Sequence, residues 1–178
     1  GFYDAEKNVD VLFLGSSHVL NGIFPMELWN EYGIVSYNMA GHGNRMAMNY
    51  WVFKNALDYT TPKLVVLDAC MLSADEKIAS LEQLHISTDH IPYSKTKVDM
   101  INDLVENEDR RSDFLWKFSI YHNRWSDLDT QDFTMEYSGM SNWDLYESVE
   151  EPVYGFDEEI AKVMYERYLK QFASHPEV

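Results

Sequence analysis

Three short apolar runs, Asp10–Leu14, Ile34–Asn38 and Lys63–Asp68, constrain this chain more than any other feature. Each is too short and too continuous for an amphipathic helix, and helical patterns separate them. Between the first two, Pro25 stands in the first turn of a short helix, where its missing amide costs nothing, and Gly33 closes it. Between the second and third, Met46, Tyr50, Phe53, Ala56 and Leu57 recur along one face of a helix that Pro62 ends. Strand, helix, strand, helix, strand with apolar strands predicts a parallel sheet covered on both faces, an α/β fold of three-layer α/β/α form. Right-handed crossovers then bring the three loops that follow the strands to one edge of the sheet. Those loops are Gly15–His18, Met39–Arg45 and Asp68–Ser73, and binding sites of such sheets form at that edge.

At 178 residues the chain is one domain, with a βαβαβ core over 1–73, a helical and loop insertion over 74–156 and a final helix over 157–178. Within the insertion Ala74–Leu84, Lys95–Glu106 and Phe114–Trp125 read as helical, 126–156 as an extended loop, and Asp157–Phe172 as the last helix. No fourth strand is evident. A parallel sheet ordinarily has more than three, so the expectation is a domain truncated at its C-terminus. A chain starting at Gly1 rather than methionine suggests an N-terminal segment, such as a membrane anchor, that precedes it; no stretch here is apolar enough to span a bilayer.

Thirty acidic against 14 basic residues give a formal charge of −16, which repels a phosphate backbone and argues against nucleic acid as a partner. The acidic clusters lack the spacing of a calcium loop, no His/Cys/Asp/Glu set has the spacing of a metal site, and neither a metal nor a cofactor is expected. Cys70, the one cysteine, excludes an internal disulfide and, lying in an apolar run, reads as a buried and inert thiol.

A serine on the tight turn after a strand exposes its hydroxyl while its own amide faces the same space, an arrangement suited to acyl transfer. The turn Gly15-Ser16-Ser17-His18 also reads as a plain helix start with Ser16 or Ser17 as N-cap. In its wider wording, Asp-Val-Leu-Phe-Leu-Gly-Ser-Ser-His-Val-Leu-Asn-Gly-Ile, it resembles the first block of the SGNH (GDSL-type) hydrolase superfamily, in a branch associated with bacterial cell-surface polysaccharides. The resemblance implies a flavodoxin-like sheet and makes Ser17 the nucleophile, with Ser16 in place of the family's aspartate. Asn38-Met39-Ala40-Gly41-His42-Gly43 resembles the second block, which gives Gly43 the oxyanion-hole role beside the Ser17 amide. The third block's asparagine is absent from Asp68–Ser73: either another donor such as Asn44 or Asn21 substitutes for it, or the oxyanion hole is made of backbone amides alone.

The fourth block, Asp-x-x-His near the C-terminus, has no match: the last histidine is His175, and Phe172 stands three residues before it. Without a base a serine hydroxyl is a weak nucleophile at neutral pH. His18 is expected to point away from Ser17 or pack locally. His122 and Arg124, in Tyr121-His122-Asn123-Arg124-Trp125, are candidates for substrate binding together with Asn38 and Asn44, and His122 reads equally as a structural histidine in an aromatic core. By resemblance the domain is a serine esterase or O-acyltransferase acting on an acylated carbohydrate, a small ester or a cell-envelope polymer, outside the cytoplasm or at the cell surface. It is inactive or weak for want of its base. The alternative is a non-catalytic carbohydrate-binding or scaffold domain, and a cytoplasmic location is compatible with the sequence.

Overall fold

The computed structural model describes residues 2–4, 8–73, 80–116, 158–172, 174 and 175. After a 3-10 turn (Phe2–Asp4) the chain forms β1 (Val11–Leu14), α1 (Ser17–Gly22), α2 (Pro25–Tyr32), β2 (Ser36–Asn38), α3 (Met46–Leu57) and β3 (Leu64–Leu67). A second 3-10 turn (Ala69–Ser73) follows, then α4 (Leu81–Thr88), α5 (Lys95–Leu104) and α6 (Glu108–Leu115). The last helix begins as α7 (Glu158–Met164), passes through a π-helical turn (Tyr165–Leu169) and ends as a short α-helical segment (Lys170–Phe172).

The fold is α/β. The three strands form a parallel sheet in the order β2-β1-β3, with Leu12 opposite Tyr37 on one side and Val65 on the other. Burial along β1 and β3 alternates with the period of two that a pleated strand imposes. Leu12 and Leu14 are fully buried, and with Val65 and Leu67 they pack toward α3.

The spacing of α3 predicts one apolar face, yet nine of its twelve residues are buried. The helix has neighbours on more than one side. Ala56 packs with Leu12 of β1, whereas the Asn55 amide reaches Met100 of α5, and Tyr50 meets Tyr168 and Phe172 of the last helix. A helix enclosed in this way is apolar nearly all round. The side-chain amides of its two buried asparagines donate within the helix and its N-terminal flank, Asn49 to Arg45 O and Asn55 to Trp51 O.

Two expectations change. The apolar run of β3 predicts a strand covered on both faces, but among the described residues Leu64 and Val66 remain 53% and 41% exposed on the face turned from α3. Of the helical reading at Ala74–Leu84, residues 74–79 lie outside the described residues, and the described helix runs on beyond Leu84 to Thr88. Ser80 accepts a hydrogen bond from the Gln83 amide, and α4 starts at Leu81 behind that cap.

Candidate active site

The carboxyl ends of the three strands meet through backbone hydrogen bonds. The Gly41 amide donates to Gly15 O at 3.3 Å, and the Asp68 amide donates to Leu14 O at 3.0 Å, so the loops after β2 and β3 are both tied to the end of β1. Gly15 is required at this junction by space. A Cβ there would lie 2.4 Å from Val19 Cγ2 and 2.9 Å from the Asp68 Cβ.

Ser16 occupies the N-cap position of α1, but its side chain makes no capping bond. Its hydroxyl instead donates to Asp68 Oδ2 at 3.4 Å and lies 3.2 Å from His18 Nδ1. With the hydroxyl proton directed at Asp68, the contact with His18 is completed by the tautomer that carries hydrogen on Nδ1. In that state Nδ1 holds the Ser16 oxygen and accepts nothing from it. Ser17 is the first residue of α1 and half-buried. Its amide belongs to the first helical turn, whose N–H groups have no acceptor within the helix.

Asn38 and Asn44 are occupied in holding the loops. The Asn38 amide donates to Val19 O at 2.9 Å and Ile23 O at 3.1 Å, while its Oδ1 accepts the Ala40 N–H at 3.0 Å. That carboxamide fastens α1 to the end of β2. Asn44 is 5% exposed, lies against the Cα of Gly41, and accepts the Ser87 hydroxyl of α4 at 2.9 Å. Gly43 takes φ +67°, a left-handed conformation open to glycine, at the exposed tip of the turn. The Gln83 side-chain amide donates to the carbonyl of His42 beside it. Between this loop and α4 lies a cleft of about 440 Å³, whose lining includes Leu20, Tyr37, Gly41, His42, Ile86 and His90. That volume is in the range of small-molecule sites.

At the third loop Asp68 Oδ1 accepts the Cys70 N–H at 2.9 Å. Cys70 is exposed, which corrects its reading as a buried thiol: the apolar run ends at Leu67, and Cys70 lies in the turn beyond it. His18, Asp68 and Cys70 each present a ligand atom, and these atoms lie within 4.8 Å of one another. Linear spacing conceals this set, because two loops 50 residues apart supply it.

Three other histidines, His85, His90 and His175, lie against aromatic rings. His85 stacks on Phe114 at 3.8 Å and pairs with Asp89, His90 lies 6.0 Å from Tyr3, and His175 stands edge-on to Phe53. His122 and Arg124 lie outside the described residues. Scans against protein-family models, curated proteins and solved structures return no match to the chain.

Proposed function

We propose that this domain is an SGNH-like serine esterase or O-acyltransferase, with Ser17 as nucleophile and the amides of Ser17 and Gly43 as oxyanion donors. The observation that carries the reading is the bond from Gly41 to Gly15, which sets the glycine turn against the serine turn at one edge of the sheet. In this reaction Ser17 Oγ attacks the ester carbonyl carbon while a base takes the hydroxyl proton. The oxyanion collapses to an acyl-serine, and the alcohol leaves with that proton. Water or an acceptor hydroxyl then receives the acyl group.

Asn38, Asn44 and Ser16 are positioning residues in this scheme, each already bonded within or between the loops. The substrate is an acylated carbohydrate or cell-envelope polymer, met outside the cytoplasm, and the cleft beside His42 accommodates its acyl or sugar portion. The same reading makes the sheet a three-layer one that continues past β3, whose outward Leu64 and Val66 want a covering layer.

Chemical rescue tests it. The chain alone should label faintly with a fluorophosphonate, and added imidazole, a diffusible base, should raise labelling in the wild type and in Ser16→Ala but not in Ser17→Ala. Strong labelling without imidazole would place a base within these residues. No response to imidazole would favour the second reading, a non-catalytic carbohydrate-binding domain. That reading draws on the Ser17 hydroxyl, which has no histidine bonded to it among the described residues.

A further inference from the structure

We propose that His18, Asp68 and Cys70 form a binding site for one divalent transition-metal ion of the zinc class. The inference is independent of the acyl-transfer reading. It rests on three different donor atoms brought within 4.8 Å of one another at the carboxyl edge of the sheet.

The donor set selects the ion. Thiolate and imidazole suit zinc and exclude the oxygen-seeking magnesium and calcium, while the carboxylate completes a three-ligand set of the kind that leaves a fourth position open. Around tetrahedral zinc, with bonds of about 2.0–2.3 Å, ligand atoms stand roughly 3.3–3.7 Å apart. Closing from the observed spread requires a side-chain adjustment of about an ångström, and His18 and Cys70 are exposed and have room to make it. Thiolate, carboxylate and neutral imidazole carry two negative charges, which a dication cancels.

The ligands are also held in advance. Asp68 has Oδ1 fixed by the Cys70 amide and Oδ2 by the Ser16 hydroxyl, and Ser16 touches the His18 ring as well. One hydroxyl thus orients two ligands from outside the coordination sphere, the role in which outer partners sustain metal affinity. The chain's charge of −16 adds a field that concentrates cations at its surface.

Because Cys70 is the sole cysteine, both readouts of the test report on this site alone. Tag-free, chelator-stripped protein is titrated with Co²⁺. The expected result is a thiolate-to-cobalt charge-transfer band in the near ultraviolet that saturates at one equivalent and is bleached by Zn²⁺. Cys70→Ser should lose the band. His18→Ala and Asp68→Asn should weaken Co²⁺ binding by at least about tenfold, and Ser16→Ala by about tenfold. In the wild type, needing no variant, Zn²⁺ should slow the reaction of Cys70 with a disulfide reagent. A folded wild type that gives no band at saturating Co²⁺ overturns the proposal. So does Co²⁺ affinity unchanged in both His18→Ala and Asp68→Asn, or thiol reactivity indifferent to Zn²⁺.

Discussion

Two glycines at the candidate site are required for different physical reasons, and substitution separates them. Gly15 is held by contact: an alanine methyl would fall 2.4 Å from Val19 Cγ2 and 2.9 Å from the Asp68 Cβ, the latter close to the backbone and unable to swing away. Gly43 is held by conformation. At φ +67° its nearest neighbour to a new Cβ is Gln83 at 3.7 Å, so space is ample and the strain is in the backbone alone. Gly15→Ala should therefore destabilise by roughly 3 kcal/mol, at the upper end for overpacking, and Gly43→Ala by about 1 kcal/mol, the cost of a left-handed non-glycine residue. Urea unfolding of the two variants side by side measures the difference; equal losses would contradict this division. At this scale the sequence is legible where one loop suffices. The Gly-Ser-Ser turn and the glycine turn after β2 stand next to strand ends and can be read from neighbours. The partnership of Ser16 with Asp68 cannot, since the two are 52 positions apart and meet only because β1 and β3 pair in register.

Among the elements, α5 is locked to α4 by a buried lysine. Lys97 is 2% exposed, and its ammonium donates to Thr88 O at 3.1 Å and Ile91 O at 2.7 Å, serving carbonyls at the C-terminal end of α4 and just beyond it. Lys97→Met keeps the apolar stem and removes the ammonium from both carbonyls; Thr88 O keeps the Ile91 N–H while Ile91 O loses its lysine donor, and the expected loss is about 1–3 kcal/mol in urea unfolding. A loss below about 0.5 kcal/mol would show that water replaces the ammonium without penalty. Asp103 acts similarly for the last helix, accepting from Trp51 Nε1 of α3 at 2.7 Å and from Arg167 at 3.1 Å. The helix α5, with a strong apolar period, and α3, apolar nearly throughout and followed by Pro62, are read from sequence close to their true bounds. The helix α1 is not, because its six residues, Ser17–Gly22, contain too little apolar repetition. The helix α6 is also hidden behind polar composition, though Asn107 followed by Glu108 and Asp109 carries a start signal: Asn107 Oδ1 accepts the Asp109 amide, and the acids complement the helix N-terminus.

For the molecule as a whole, stability should fall at alkaline pH through its buried phenols. Burial first, then the neighbouring Tyr59, Tyr37 and Asp58, pushes the Tyr3 phenol far above its usual range, and burial with Asp103 raises that of Tyr50. A phenol is neutral below its pKa, so the folded state keeps protons that the unfolded chain gives up from about pH 10. The stabilisation is thus complete below about pH 10 and lost progressively above it, as the folded-state pKa values are approached. Tyr3→Phe should flatten this decline. It should cost little at neutral pH, because the Tyr3 hydroxyl is buried and has no hydrogen-bond partner among the described residues. Urea midpoints measured across this range in wild type and Tyr3→Phe test the point, and parallel curves would sink it.

The strand order β2-β1-β3 has one more consequence, for synthesis. The central strand is the first to leave the ribosome, yet its two neighbours are made later, and Val11 must wait for Leu64 to find its second ladder. Until β2 is made β1 presents two unpaired edges, and until β3 is made it keeps one, so neither serine has a stable place to stand. The segment that holds the chemistry is therefore an early product with a late structure. Its exposure to mispairing lasts as long as translation takes to cover those 53 positions, a delay that codon choice between β1 and β3 would lengthen or shorten.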